Sequence, residues 1–280
     1  MDKRQVFCND KGTLYLIATP IGNLNDVSRR TLETIESVSY LACEDTRNTF
    51  KLLEHFNIKK EMVSYHKFNE KEMVSKILND LSEGKSIGIV SDAGYPGISD
   101  PGYIISNEAI KNGYNVSCVG GPSAFIHALI CSGIDSSHFY FYGFLESKQS
   151  ARIRELENLK DIRDTLIFYE TSNRMNESLL DMKKVFGNRK FCVARELTKK
   201  YEEYIYGFLD EVDGENVEVK GECVVIVEGN KLEDISFSSD VEEVIKELLS
   251  KHISAKDVSK MISKLTGISK NEIYDYIVKK

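Results

Sequence analysis

No stretch of this 280-residue chain is apolar over the roughly 20 residues needed to cross a bilayer. The first eleven residues, Met1 to Lys11, are polar and charged, unlike a signal peptide. The six cysteines (Cys8, Cys43, Cys118, Cys131, Cys192 and Cys223) are scattered, mostly inside apolar runs. None belongs to a C-x-x-C pair or to a Cys/His cluster with zinc spacing, which argues against a disulfide framework and against a metal site. A reducing cytoplasm is the expected compartment. The chain also lacks both phosphate-cradling glycine patterns, G-x-x-x-x-G-K-[ST] and G-x-G-x-x-G. Cations are in deficit: 37 Lys and Arg against 44 Asp and Glu give a net charge of −7. A nucleic-acid surface would therefore have to gather its Lys and Arg locally. Arg29-Arg30, Lys59-Lys60 with Lys67 and Lys71, Arg152 with Arg154, Lys199-Lys200 and the tail lysines are the available patches.

What stands out against these absences is one dense loop, Ser91-Asp-Ala-Gly-Tyr-Pro-Gly-Ile-Ser-Asp-Pro-Gly102. Glycines permit positive φ and close backbone approach, while prolines fix φ and remove a donor, so this segment forms no regular element. It follows the apolar run Ile87–Val90, and a strand feeding such a loop presents backbone groups at the carboxyl edge of a sheet. Ligands of open α/β sheets bind at that edge. Asp92 and Asp100 would repel a phosphate, so a cationic or zwitterionic small molecule is the expected occupant.

Strand-like runs alternate with helical periods, which argues for parallel βαβ units. Strands are expected at 13–18, 38–43, 62–65, 87–90 and 115–119, and helices at 28–36, 46–55, 69–82 and 103–112. After Gly120-Gly-Pro-Ser-Ala124, with Pro122 placed in the first turn of a helix to about Ser132, a second round begins. Its strands are expected at 139–144, 165–170, 190–195 and 221–228, and its helices at 151–159 and 173–186. A polar linker at 231–240 then leads to a helical piece with two helices broken at Gly267. The resulting divisions are a tail at 1–11, α/β domains at 12–120 and 121–230, and the linker with its helical extension at 231–280.

Polar segments close several strands: Ala18–Asp26, Glu44-Asp-Thr-Arg47, Tyr65–Glu70, Phe168–Arg174 and Ala194–Thr198. Each alone suits capping and turn chemistry. Five on one rim, with the Asp92 loop, make a cleft.

In order and spacing, several strings resemble the ribosomal RNA small subunit methyltransferase I family of the tetrapyrrole (corrin/porphyrin) methylase superfamily. They are Thr19-Pro-Ile-Gly-Asn-Leu24, Glu44-Asp-Thr-Arg47, the Ser91–Gly102 loop, Gly121-Pro-Ser-Ala124, Phe168-Tyr-Glu170, Ala194-Arg-Glu-Leu-Thr198 and Lys220-Gly-Glu222. The resemblance implies two α/β domains of tetrapyrrole-methylase type with a cleft for S-adenosylmethionine between them, a small C-terminal helical extension, and a homodimer. It implies methylation of the ribose 2′-hydroxyl of a cytidine in the decoding region of 16S rRNA, on the rRNA or the small ribosomal subunit, and no metal. Carried over by position, the cofactor residues are Pro20, Asp92, Ala93, Gly94, Ser123, Ala124, Tyr169, Leu197 and Gly221. Two departures stand out: Asn173 where relatives carry histidine, and Gly120 where they carry proline before Gly121.

A ribose hydroxyl is a poor nucleophile, so a base should assist it. Glu44, Asp45 and Glu170 are the expected catalytic carboxylates. Arg29, Arg30, Arg47, His66, Lys67 and Arg174 are the expected RNA contacts. The alternatives are a tetrapyrrole methylase with an apolar trough, and a non-catalytic module that binds S-adenosylmethionine or RNA.

Overall fold

The structure is a computed structural model that describes residues 6, 11–215, 217–231, 239–268 and 270–279. Most of the tail, including Cys8, and the core of the linker lie outside those residues. The chain divides into two compact units, Met1–Gly229 and Asn230–Lys280.

The first unit opens with a five-stranded parallel sheet in the order β3-β2-β4-β1-β5. Its strands are β1 (Thr13–Ile17), β2 (Tyr40–Cys43), β3 (Met62–Ser64), β4 (Ile87–Val90) and β5 (Asn115–Val119). Every residue of β2 and β4 is buried, as expected for central parallel strands with helices on both faces. One face carries Leu14, Ala42, Ile87 and Ile89 against Ile77 and Leu81 of α3 (Glu70–Ser82) and Ile105 of α4 (Tyr103–Lys111). The other carries Ile17, Leu41 and Val90 against Ile35 of α1 (Arg29–Ser37) and Leu53 of α2 (Thr46–His55). Two helices begin at side-chain caps: Ser28 accepts from the amide of Thr31, and Asp45 accepts from that of Arg47.

A crossover at Gly120–Ser123 leads into α5 (Ala124–Cys131) and then a second sheet, in the order β6-β7-β10-β8-β9. Its strands are β6 (Phe139–Phe144), β7 (Thr165–Thr171), β8 (Lys190–Arg195), β9 (Glu203–Phe208) and β10 (Glu222–Val227). The expectation of parallel units is corrected here. Only β6 and β7 run parallel, while β7–β10, β10–β8 and β8–β9 are antiparallel. Parallel neighbours need a long crossover, usually an α-helix, and among the described residues only a single 3-10 turn, Leu209–Glu211, separates β8, β9 and β10. α5 covers the face bearing Ile167 and Ile226. The opposite face, with Phe168 and Val225, packs against α6 (Gln149–Leu159) and α7 (Met175–Phe186). Pro122 precedes the helix rather than opening it, because Ser123 is the N-cap.

Among the described residues, the second unit holds three helices rather than two: α8 (Ser239–Ser250), α9 (Ala255–Thr266) and α10 (Lys270–Lys279). The extra break is a capping turn, where Ser254 accepts from the Asp257 amide, and Gly267 ends α9 at φ 75°. Ile245, Val258, Ile262 and Ile273 form their common core. No helix among the described residues is long and apolar enough to cross a membrane.

Candidate methyl-donor site

The loops after β1 and β4 are adjacent because those strands pair in the sheet. They are stitched together at their tips. The Thr19 amide donates to the Gly94 carbonyl at 2.9 Å, the Gly94 amide donates back at 3.1 Å, and the Thr19 hydroxyl reaches the Ser91 carbonyl at 3.2 Å. Gly94 takes φ +75°, which explains glycine there. At the far end of the loop, the Gly102 amide donates to Glu70 Oε1 at 3.1 Å, and the Tyr65 hydroxyl donates to the same oxygen at 2.6 Å. Glu70 is buried, so this carboxylate is an anchor for the loop and not a rim group.

Between this loop and the second sheet lies a cavity of about 540 Å³, within the usual range for sites of small molecules. Asp92, Ala93, Gly94, Ser123, Ala124, Tyr169, Leu197 and Gly221 all line it. Pro20 does not; it lines a neighbouring cavity of about 210 Å³ that shares Asp92. Ile21, Phe144, Tyr169, Leu197 and Val224 give apolar wall, and Glu44, Asp92, Asp100, Glu196 and Glu222 give acidic wall. The single lysine in the lining, Lys199, is paired with Glu196 at 2.9 Å. Flat apolar surface, exposed loop backbone and unneutralised carboxylates fit a zwitterionic nucleoside bearing a sulfonium.

The three carboxylates expected to be catalytic separate sharply. Glu44 lines the cavity and accepts the Asp92 amide at 3.2 Å. Burial, more than its acidic neighbours Asp92 and Asp45, pushes its carboxyl above the ordinary range. Asp45 caps α2 and chelates Arg47 at 2.6 Å, and the Arg47 guanidinium holds it down at about 2. Glu170 drops out as a proton acceptor. It is buried and takes hydrogen bonds from Ser178 Oγ at 2.6 Å, Arg174 Nη2 at 2.7 Å and the Thr171 amide at 2.8 Å. Side chains alternate along a strand, so Tyr169 facing the cavity turns Glu170 away from it.

Asp100, whose sequence context implies only that it repels phosphate, is the addition. Burial and the facing Glu44 carboxylate push it up to about 7, against a smaller opposing hydrogen bond from Ser91. Its spacing from Asp92 on one Gly/Pro loop was the available signal.

Of the expected RNA contacts, Arg30 and Lys67 are exposed, and so are Arg29, paired with Glu33, and Arg47. His66 has its Nδ1 buried with no hydrogen-bond partner among the described residues. Arg174 is committed to Glu170. Arg152, counted in a surface patch, is wholly buried and paired with Asp181 at 2.8 Å. Phe68, not among the expected contacts, is 95% exposed beside Lys67.

The family profile of the tetrapyrrole (corrin/porphyrin) methylases matches residues 13–213, which hold both sheets' site loops save the Gly221 turn. The fold agrees. The uroporphyrin-III C-methyltransferase of Thermus thermophilus, solved as a complex with S-adenosylhomocysteine, superposes with a TM-score of 0.56 at 15% identity. The superposition covers 78% of this chain and 97% of that one. The chain belongs to the tetrapyrrole methylases. Within that class its relatives are more specific. The ribosomal RNA small subunit methyltransferase I of Halalkalibacterium halodurans is 43% identical, with 95% of each chain covered. That of Bacillus subtilis is 40% identical, with 98% of each covered. The chain is a member of the ribosomal RNA small subunit methyltransferase I family.

Proposed function

We propose that this enzyme transfers the methyl group of S-adenosylmethionine to the ribose 2′-hydroxyl of a cytidine in the decoding region of 16S rRNA, in the cytoplasm. The observation that carries the reading is an acid-walled donor cavity in a chain alike, nearly end to end, to proteins named for this rRNA. S-adenosylmethionine, when bound, supplies an electrophilic methyl on a sulfonium. Asp92–Gly94, Ser123–Ala124, Tyr169, Leu197 and Gly221 are the residues we assign to hold it. Their main service is to keep the acceptor oxygen and the methyl carbon in line.

The Glu44–Asp100 pair takes the ribose proton as the oxygen–carbon bond forms and the carbon–sulfur bond breaks. A carboxyl near 7 is matched to that task at neutral pH, whereas Asp45 is too acidic. Arg29, Arg30, Arg47 and Lys67 hold RNA phosphates at the rim, and the open ring of Phe68 offers a face on which an unpaired base stacks. The working form we infer is a homodimer. Exposed Ile130 and Tyr206 support it, adjoining where the Tyr206 hydroxyl donates to the Cys131 carbonyl at 2.9 Å. Sedimentation checks that point.

The deciding assay offers labelled S-adenosylmethionine with unmethylated small subunits, naked 16S rRNA or uroporphyrinogen. Label in RNA, lost steeply with added salt, supports the reading. Label in the tetrapyrrole alone, or donor uptake without transfer, replaces it.

A further inference from the structure

The two walls of the cavity come from segments far apart in sequence, the Ser91–Gly102 loop and the Ser123–Ala124 crossover into α5. The chain between them runs through the pair Gly120-Gly121, just before the Ser123–Ala124 wall. Two consecutive glycines leave a chain with more freedom than any other pair. Gly121 has no alternative, because a Cβ there would stand 2.8 Å from the Ala18 Cβ. Gly120 is different. Its φ lies outside the left-handed region, and a Cβ would meet only the Tyr95 hydroxyl, at an ordinary 3.6 Å.

One side chain bridges the walls at this point. The Tyr95 hydroxyl donates to the Gly121 carbonyl at 3.0 Å and accepts from the Gly121 amide at 3.0 Å. Both polar groups of a single hinge residue are thus satisfied by the loop opposite. We propose that Tyr95 is a positioning residue, clamping the glycine hinge so that the two donor-binding walls are held at a fixed spacing before the donor arrives. The clamp rests on the reading of the cavity as the S-adenosylmethionine site. Its benefit is preorganisation: ordering the hinge in advance spares that cost at binding.

Tyr95→Phe keeps the ring and removes both hydrogen bonds. Amide exchange in the ligand-free protein should accelerate about tenfold at Gly121, with Ile89 and Val225 unchanged as core controls. Calorimetry should show S-adenosylmethionine affinity falling about tenfold. Adding Gly120→Ala, which restricts the hinge by other means, should recover about two- to threefold of that affinity. A direct contact between Tyr95 and the ligand would give no such recovery. Unchanged exchange at Gly121, equal affinity in wild type and Tyr95→Phe, or no recovery by Gly120→Ala each overturns the clamp. Failure of the wild type to take up the donor overturns instead the reading of the cavity on which the clamp depends.

Discussion

The two sheets of the first unit treat charge in opposite ways. Around the carboxyl ends of the parallel sheet, Glu44, Asp92 and Asp100 line one cavity without a Lys or Arg paired to any of them among the described residues, and burial and mutual repulsion push Glu44 and Asp100 upward. Behind the second sheet, charges are sealed in and matched. Arg152 is buried against Asp181, and Glu170 is held by Arg174 and Ser178. Unmatched carboxylates cost stability and are kept where a cation is to bind; matched ones hold elements together and cannot take part in chemistry. Among acidic residues that look alike in sequence, the degree of neutralisation separates the two roles.

Breaking a matched pair should give the largest effect. Arg152→Ala leaves Asp181 buried without its cation, and should lower stability by about 3–5 kcal/mol in urea titration. Glu170→Ala strands the Arg174 guanidinium, the Ser178 hydroxyl and the Thr171 amide, for about 2–4 kcal/mol. At a temperature where it stays folded, Glu170→Ala should bind S-adenosylmethionine as wild type does, within twofold by calorimetry. A weakened donor site in this variant would erase the distinction drawn between the sheets.

How far the distinction was legible depended on geometry that one-dimensional pattern does not carry. Four of the five parallel strands, β3 excepted, read well as short apolar runs with Gly, Pro or Asp close by, and the Ser91–Gly102 loop reads as a site because nothing regular accommodates it. β9 carries a weak signal: at a sheet edge, none of its residues is fully buried, and the charges of Lys199, Lys200 and Glu202 lead into it. A cue existed, since Tyr204-Ile-Tyr-Gly-Phe208 echoes Tyr140-Phe-Tyr-Gly-Phe144 of the other edge strand. The antiparallel pairing has a cue as well: no run between Arg195 and Gly221 has the period of an α-helix long enough for a parallel crossover. Glu170 could not be sorted, because whether Tyr169 or its neighbour faces the cleft is a matter of sheet placement. Arg152 could not be sorted either, as its partner lies 29 residues away on another helix.

A middle-sized effect should come from the unmatched group Asp100. Its folded value of about 7 exceeds the reference of 3.8, so the fold holds this proton more tightly than the unfolded chain does. The associated stability is complete below pH 3.8 and is lost as pH rises towards 7. Asp100→Asn should therefore melt higher than wild type at pH 8 without ligand, with the difference closing towards pH 4. Donor binding should move the opposite way. A sulfonium favours the ionised carboxylate, so wild-type affinity should fall up to about tenfold from pH 8 to pH 6. In Asp100→Asn it should be weaker at pH 8 and flat across that window. A variant that melts no higher at pH 8, or keeps the wild-type pH profile, would place Asp100 among the matched groups.

The smallest effects should come from the rim, whose exposed cations are proposed to act through phosphate, an attraction that salt screens. On the proposed reading, the sequence neighbours Phe68 and Lys67 meet the same RNA by different physics, and their salt responses should differ. Phe68→Ala should weaken RNA binding about fivefold, the low end for a lost stacking face, with the slope of log affinity against log salt unchanged. Lys67→Ala should cost only two- to threefold at moderate salt, but reduce that slope by about 0.7, the value for one phosphate contact on a single strand. Filter binding across a salt series reads both quantities at once. A slope unchanged in Lys67→Ala would mean that this lysine is solvated and that the net charge of −7 is offset at some other part of the rim.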